Sequence, residues 1–405
     1  MDQRLHRQTG PDLSAPDAGP SQPAGLSPAV TALFALACGV TVANLYYSQS
    51  LVGLIARDLG IPESLAGSLV TITQVGYGVG LFFLVCLGDL LENKRLILIT
   101  NSVLILSLLG VVLSPTPPLL FLSFFLVGVT AVGTQILVPL AAHLTPEHKR
   151  GVVLGNIMSG LLAGIMLCRP LASFLAAHFG WRSVFIVSIG AMAIILVLLK
   201  VVLPTRKPNA GIGYGAILRS ILSWLVKSST LKRRAAYQGT LFAVFNLFWT
   251  AAPLMLHDRF GLSQSGIALF ALAGAGGALA APVAGRLGDR GHTRIATGIA
   301  MAVTGLSFLL SGWSVATGAM ALLVFSAIAL DASVQANQIF SQRAVYGLTS
   351  EARGRVNSAF MTVAFMCGAV GSTLGSLTYV GGGWWLTAGV GAGLCALILA
   401  TFATE

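Results

Sequence analysis

The stretch GIMLCRPLAS, residues 164–173, places an arginine inside an apolar run that extends from Val152 to Ala177. Arg169 keeps its charge in any protein environment. The run around it is long enough to cross a hydrocarbon core about 30 Å thick as a helix, for which about 20 residues suffice. A charge in such a run belongs in a bundle interior or beside a water-filled cavity, because facing lipid is too costly. Whether the run is a membrane span depends on its neighbours, and they resemble it. Twelve apolar stretches follow one another near 28–50, 65–88, 96–114, 118–142, 152–177, 183–203, 235–256, 265–287, 295–313, 317–340, 355–379 and 384–402. Their composition agrees: 55% of the 405 residues are hydrophobic and 9% are charged, against about 25% charged in soluble domains. Continuous apolar runs without period-two alternation are helices, not barrel strands. The expected fold is an all-α membrane protein of twelve transmembrane helices.

A net charge of +11 would suit a nucleic-acid binder, but its placement speaks against one. With the N-terminus inside and twelve crossings, Arg57, Arg182 and Arg259 fall in outer loops and Arg169 within a span. That leaves 24 − 4 = 20 Lys and Arg on the inner side. Such a bias sets orientation in the membrane, and attraction to anionic lipid follows from it. Both termini are expected in the cytoplasm, with the chain a multi-pass protein of the plasma (inner) membrane and a monomer. Residues 1–27, polar and rich in Pro, Gly, Ser and Asp, read as a disordered cytoplasmic tail. Cys38, Cys86, Cys168, Cys367 and Cys395 all fall in spans without metal or disulfide spacing. They read as packing residues; no cofactor or metal is expected.

A linker at 204–234 divides the chain into bundles at 28–203 and 235–402. Ile217, Leu218, Ile221, Leu222 and Leu225 follow helical spacing within it, with Arg219 and Lys227 among them. A short amphipathic helix on the inner membrane surface fits. The halves echo each other at an offset of 200. LGD at 87–89 matches LGD at 287–289, and EHKRG at 147–151 answers EARGR at 351–355. A duplicated six-span unit with its substrate between the halves is a known transporter plan.

At these residues the chain resembles the major facilitator superfamily. GRLGDRGHTR at 285–294 is similar to that family's signature loop, with Gly285, Asp289, Arg290, Gly291 and Arg294 at its positions. VCLGDLLENKR at 85–95 keeps Gly88, Asp89, Lys94 and Arg95, and departs at Val85, Leu90 and Leu91. The resemblance implies two pseudo-symmetric six-helix bundles that rock about a central cavity. It also implies gating by Asp89, Lys94, Arg95, Asp289, Arg290 and Arg294: a carboxylate at an inner helix end meets a neighbouring helix N-terminus, where the dipole is positive. Within the family the chain looks most like twelve-span proton-coupled drug and metabolite exporters. There the resemblance rests on SGLLAGIMLCRPLA in span five, where Arg169, Ala172 and Ser173 stand where glycines are usual.

Asp331 is the acidic residue nearest mid-span, and Gln335, Gln338 and Gln342 follow it at helical intervals. In the resembling family span ten helps line the central cavity, so this stripe is expected to be wet. Low dielectric disfavours the charged carboxyl, which suits Asp331 to proton coupling. Arg169 must act through its fixed charge, either on a substrate or on Asp331, or by holding the Met166 carbonyl that Pro170 leaves without a donor. Counting from the span midpoints at about 1.5 Å per residue puts Arg169 and Asp331 roughly 10 Å apart in depth, which argues against a direct ion pair. Asn44, Tyr47 and Ser48 share one face of span one, and Tyr46 and Gln49 another. With Gln74, Tyr77, Gln135, Asn246, Trp249, Arg169, Asp331, Gln335 and Gln338, the first of these faces makes up the candidate substrate-binding set. Each amide or tyrosine serves equally as interhelical glue. Glycine-rich GAGGALAAP (274–282), GAVGSTLG (368–375) and Gly160/Gly164 read as helix-packing faces.

The expected function is proton-coupled efflux of small organic compounds or drugs, with protons moving inward. The alternative is proton symport of an organic anion held by Arg169. A non-transporting receptor or scaffold would leave Asp331 without a task. No nucleophile–base set, zinc spacing or phosphate loop points to an enzyme.

Overall fold

A computed structural model describes residues 26–205, 213–277, 284, 287, 293–349 and 352–404. Among them every regular element is helical. Ten helices are long and apolar enough to cross a membrane. The last of them, Arg353–Ala403, is interrupted at Gly382 and at Gly383, whose φ of 65° ends one helix and starts another. With the apolar helix Gln264–Gly277 these make the expected twelve spans among the described residues.

Local chemistry explains the boundaries. Ser27 caps the first span by accepting from Val30 N–H at 3.3 Å, and Pro28 occupies its first turn, where no donor is needed. That helix, Pro28–Ala43, pauses at residues 44–46 and resumes as Tyr47–Asp58. At the pause Leu45 and Tyr46 bond back three residues, to Val42 and Ala43, and Asn44 Nδ2 donates to the Val40 carbonyl at 2.8 Å. The second span runs through Ser68–Phe83 into a 3₁₀ turn at Val85–Asp89. Span three is Asn93–Leu113, span four Pro117–Thr130 with Gly133–Leu144, span five Glu147–Phe179 and span six Trp181–Val202. After the linker helix Tyr214–Lys227, span seven is Ser229–Phe260, closed by Gly261 in the left-handed region. Spans nine and ten are Thr293–Thr317 and Met320–Tyr346. Asp289, Arg290, the tail before residue 26 and linker residues 206–212 lie outside the described residues.

Packing repeats between the halves. Span one packs on five, two on four and three on six; seven packs on eleven, eight on ten and nine on twelve. Between the halves, span two meets eleven and span five meets eight. Glycine makes the closest of these approaches possible. A methyl at Gly39 would sit 2.5 Å from the Gly160 carbonyl oxygen, and one at Gly160 would sit 2.5 Å from that of Ala35. Backbone-to-backbone contact of this kind holds helices together where lipid removes the hydrophobic drive. The linker helix buries Ile217 and Ile221. It touches both halves: Tyr214 donates to the Phe83 carbonyl at 2.9 Å, and Arg355 donates to Ser220 Oγ at 3.1 Å.

Candidate substrate and coupling site

A cavity of about 460 Å³ lies between the halves. Its mouth is at the end of the bundle that carries residues 26 and 404, where Asp89, Asn93, Arg355 and Asn357 line it. One wall comes from span five through Leu154, Met158, Leu161 and Ile165, all apolar. The wall from span ten carries Asp331, Gln335, Gln338 and Gln342, the stripe expected from their spacing. Gln238 of span seven orders this wall, accepting from Asn337 at 2.7 Å and donating to Gln338 at 3.5 Å. Tyr77 and Gln135 also line the cavity and bond each other at 3.3 Å.

The closed end holds two opposite charges. Arg169 is 2% exposed and Asp331 5%. Asp331 Oδ1 accepts from Trp249 Nε1 at 2.7 Å, and Oδ2 stands 3.7 Å from Arg169 Nη1. The guanidinium carbon lies 4.4 Å from the Trp249 ring centre, 4.9 Å from that of Phe245 and 5.6 Å from that of Tyr46. Three electron-rich faces and one carboxylate thus compensate the cation. Arg169 Nε donates to Gln49 Oε1 at 3.1 Å, while Nη2 has no hydrogen-bond partner among the described residues. Span eight must come close for this to happen: a methyl at Gly274 would meet Asp331 Oδ2 at 2.8 Å and Arg169 Nη1 at 3.2 Å.

The ion pair corrects the depth estimate. Span ten extends to Tyr346, six residues past its expected end, so its centre is residue 333 and not 328 or 329. Asp331 therefore lies 333 − 331 = 2 residues beyond the helix centre, on the side away from the termini. Arg169 lies 169 − 163 = 6 residues beyond the centre of Glu147–Phe179, on the same side. A difference of four residues is about 6 Å at the helical rise, within the reach of an arginine side chain.

Six candidate substrate contacts, Trp249 among them, do not line the cavity. Asn44 accepts from Ser188 Oγ at 2.7 Å and ties span one to span six. Tyr47 packs edge-on against Phe185. Ser48 is buried without a partner. Gln74 and Asn246 bond each other at 3.2 Å. Span one keeps the two faces that the spacing groups, but the one that carries Asn44 and Tyr47 turns toward span six. Tyr46 and Gln49, on the other face, reach Arg169 instead. Trp249 meets the cavity through Asp331. Phe242, Phe245 and Gln238 also line it; no polar periodicity singled out the two phenylalanines. Of the expected gating set, Asp89 lines the mouth, Lys94 is half-buried, and Arg95 and Arg294 are exposed at helix starts.

Away from the termini the halves are tied shut. Gln264 donates to the Ser50 carbonyl at 3.0 Å and to Ser173 Oγ at 3.3 Å. Thr71 and Thr373 meet at 2.8 Å, and Ser372 donates to the Gly67 carbonyl at 3.1 Å.

Twelve spans among the described residues, paired alike in two halves around a cavity open at one end, define a membrane transport protein. The Major Facilitator Superfamily model matches residues 30–345, and the chain belongs to that family. It is 38% identical over 360 residues to the Escherichia coli (strain K12) putative uncharacterized transporter YgaY, covering 89% of this chain and 91% of that one. It is 28% identical over 387 residues to the probable transporter SCO4007 of Streptomyces coelicolor, covering 93% and 89%. Its fold matches the crystal structure of the nucleoside transporter NupG with a TM-score of 0.73 at 15% identity, over 92% of this chain and 99% of that one.

Proposed function

We propose that this transporter exports small organic compounds across the inner membrane in exchange for protons, and that Asp331 is the proton site. The orientation follows from the 20 of 24 basic residues expected on one side, which puts both termini and the open mouth in the cytoplasm. The observation that carries the reading is the contact between Asp331 and Arg169 at the closed end of the cavity. One is titratable and the other is not, they come from opposite halves, and a compound in the cavity reaches both. A proton on Asp331 removes its attraction to Arg169; so does a substrate that takes over either partner. Exchange follows when the two ligands exclude each other. Asp89 and Asp289 with their basic neighbours act as gating residues, and the Gln335–Gln338 wall supplies substrate hydrogen bonds.

Cotransport of a proton with an organic anion is the second reading. The partnerless Nη2 of Arg169 favours it, because an anion there would leave Asp331 free to take the proton. Proteoliposomes separate the two. Asp331→Asn mimics the protonated carrier. Under exchange it loses both gradient-driven flux and substrate counterflow; under cotransport it loses the gradient response and keeps counterflow. A panel of dyes, antibiotics and organic acids supplies the candidate substrates. Gradient-driven flux that survives in Asp331→Asn overturns the proton assignment.

A further inference from the structure

Beyond the closed end of the cavity lies a chain of buried amides. Gln49 Oε1 accepts from Arg169 Nε at 3.1 Å, and Gln49 Nε2 donates to Asn246 Oδ1 at 2.7 Å. The same oxygen accepts from Gln74 Nε2 at 3.2 Å, while Asn246 Nδ2 donates to the Phe242 carbonyl at 2.9 Å. All three amides are 0% exposed. Gln49, Gln74 and Arg169 belong to the first half, Asn246 to the second. We propose that Gln49, Gln74 and Asn246 form the latch that closes the side away from the termini, and that Arg169 sets its direction.

An amide side chain can present either end, and its neighbours decide which. Arg169 has only donors, so Gln49 must turn its oxygen toward the guanidinium and its NH₂ toward span seven. Asn246 gives its NH₂ to its own helix, which leaves its oxygen for the first half. The chain is therefore polarised from a fixed cation to a backbone carbonyl. If Arg169 moves, Gln49 loses the contact that orients it, and its bond to Asn246 across the halves loses its support. Out of water a donor without an acceptor is costly. Once the halves part on this side, water supplies partners. The latch thus stabilises the closed arrangement alone. Span seven links it to the acid, because Trp249, the donor to Asp331, stands three residues after Asn246. The latch residues are positioning residues, and their role rests on the alternating-access reading above.

Hydrogen exchange on the full-length protein in nanodiscs of phosphatidylethanolamine and phosphatidylglycerol tests this without a substrate. Asn246→Leu removes the shared acceptor and keeps a branched side chain of the same length. Two intramembrane hydrogen bonds, each shifting an equilibrium by about threefold, should raise exchange at the far ends of spans one, seven and eight by roughly tenfold. Exchange at 352–357, at the mouth, should fall as the open population moves to the other side. General loosening would raise both. Arg169→Gln should give the same signature, and the double variant no more than the larger single effect. Gln74→Leu, which removes one donor, should give an intermediate shift; it carries the test if Asn246→Leu fails to run as a monodisperse species. Far-side exchange within twofold of wild type, a rise at both ends, or additive effects would overturn the latch. The Asp331→Asn liposome result is independent of this one, so loss of the latch and loss of proton coupling are told apart.

Discussion

Asp331→Asn changes charge and little else. Asparagine keeps the shape, and its oxygen can still accept from Trp249. What is lost is one of two opposite charges 3.7 Å apart, on side chains 3% and 7% exposed. At an effective dielectric near 20 their attraction is about 332/(20 × 3.7), roughly 4.5 kcal/mol. The cavity brings solvent to the pair, so that figure is an upper one; removing one partner of a buried pair costs about 3–5 kcal/mol. A loss of about 3 kcal/mol is expected. Arg169→Gln should cost as much, because it leaves Asp331 without a countercharge and Gln49 without its donor. The double variant leaves no buried charge. Neutral replacement of a buried pair is often free of cost, so the double should be more stable than either single.

The check is a double-mutant cycle on thermal midpoints, measured in one detergent at one pH. A coupling of at least about 2 kcal/mol is expected, in keeping with the range for neighbours that share a partner. Lowering the pH should carry the wild type toward Asp331→Asn and leave that variant itself unmoved, since attraction that requires an ionised acid disappears as the acid binds its proton. A double variant no more stable than the weaker single would refute the pairing. The 3.7 Å contact would then be proximity without energetic weight.

Gly274→Ala inserts a methyl 2.8 Å from Asp331 Oδ2 and 3.0 Å from the Trp249 ring. Overpacking of about 1–3 kcal/mol should lower the thermal midpoint, and gradient-driven flux should drop with it. Arg182→Ala makes the opposite case. Its pair with Asp58 is short, at 2.6 Å, but its side chains are 37% and 45% exposed, so in a stability assay the charge pairing should contribute less than about 1 kcal/mol. Arg355→Ala removes the bond to Ser220 and should raise hydrogen exchange across 214–227 while the membrane helices keep their protection.

The number and order of spans were legible because bilayer thickness demands one long apolar run per crossing. Gly160, Gly164, Gly371 and Gly375 were legible as packing faces for a related reason: small residues at helical spacing suit close backbone contact. The stripe from Asp331 to Gln342 was legible because span ten is one unbroken helix, so spacing maps onto a face. In span one, local spacing groups Asn44 with Tyr47 and Tyr46 with Gln49, as the structure does, but it does not say which group turns toward span six. The Arg169–Asp331 contact was hidden by an end effect. Polar residues such as Gln342 and Arg343 extend span ten past its apolar stretch, and a few residues of helix at one end move the centre enough to turn separation into contact. Phe242 and Phe245 gave no signal, since an aromatic lining a cavity reads like one in a core.

Under the proposed exchange, the placement of the two charges on opposite halves bears on how slipping is avoided. An exchanger must not reorient when it carries neither proton nor substrate, or the gradient leaks away. Arg169 in span five and Asp331 in span ten attract each other across the interface that must rearrange. With the acid ionised and the cavity empty, this attraction opposes the movement of one half over the other. A proton removes it by neutralising Asp331. A substrate removes it by substituting its own polar group for one member of the pair. Either ligand alone is then enough to free the halves, and a substrate that needs the ionised acid cannot bind beside the proton. Had the pair lain within one half, its breaking would not have changed the energy of reorientation, and nothing in its electrostatics would couple one flux to the other. Moving the acid tests the point: Asp331→Ala with Ala271→Asp carries the carboxylate from span ten to span eight within the same half, and exchange should persist in part if cross-half attraction to Arg169 is what matters. Complete loss of proton-linked flux in that variant, with folding and counterflow intact, would assign the coupling to the position of Asp331 and not to its attraction across the halves.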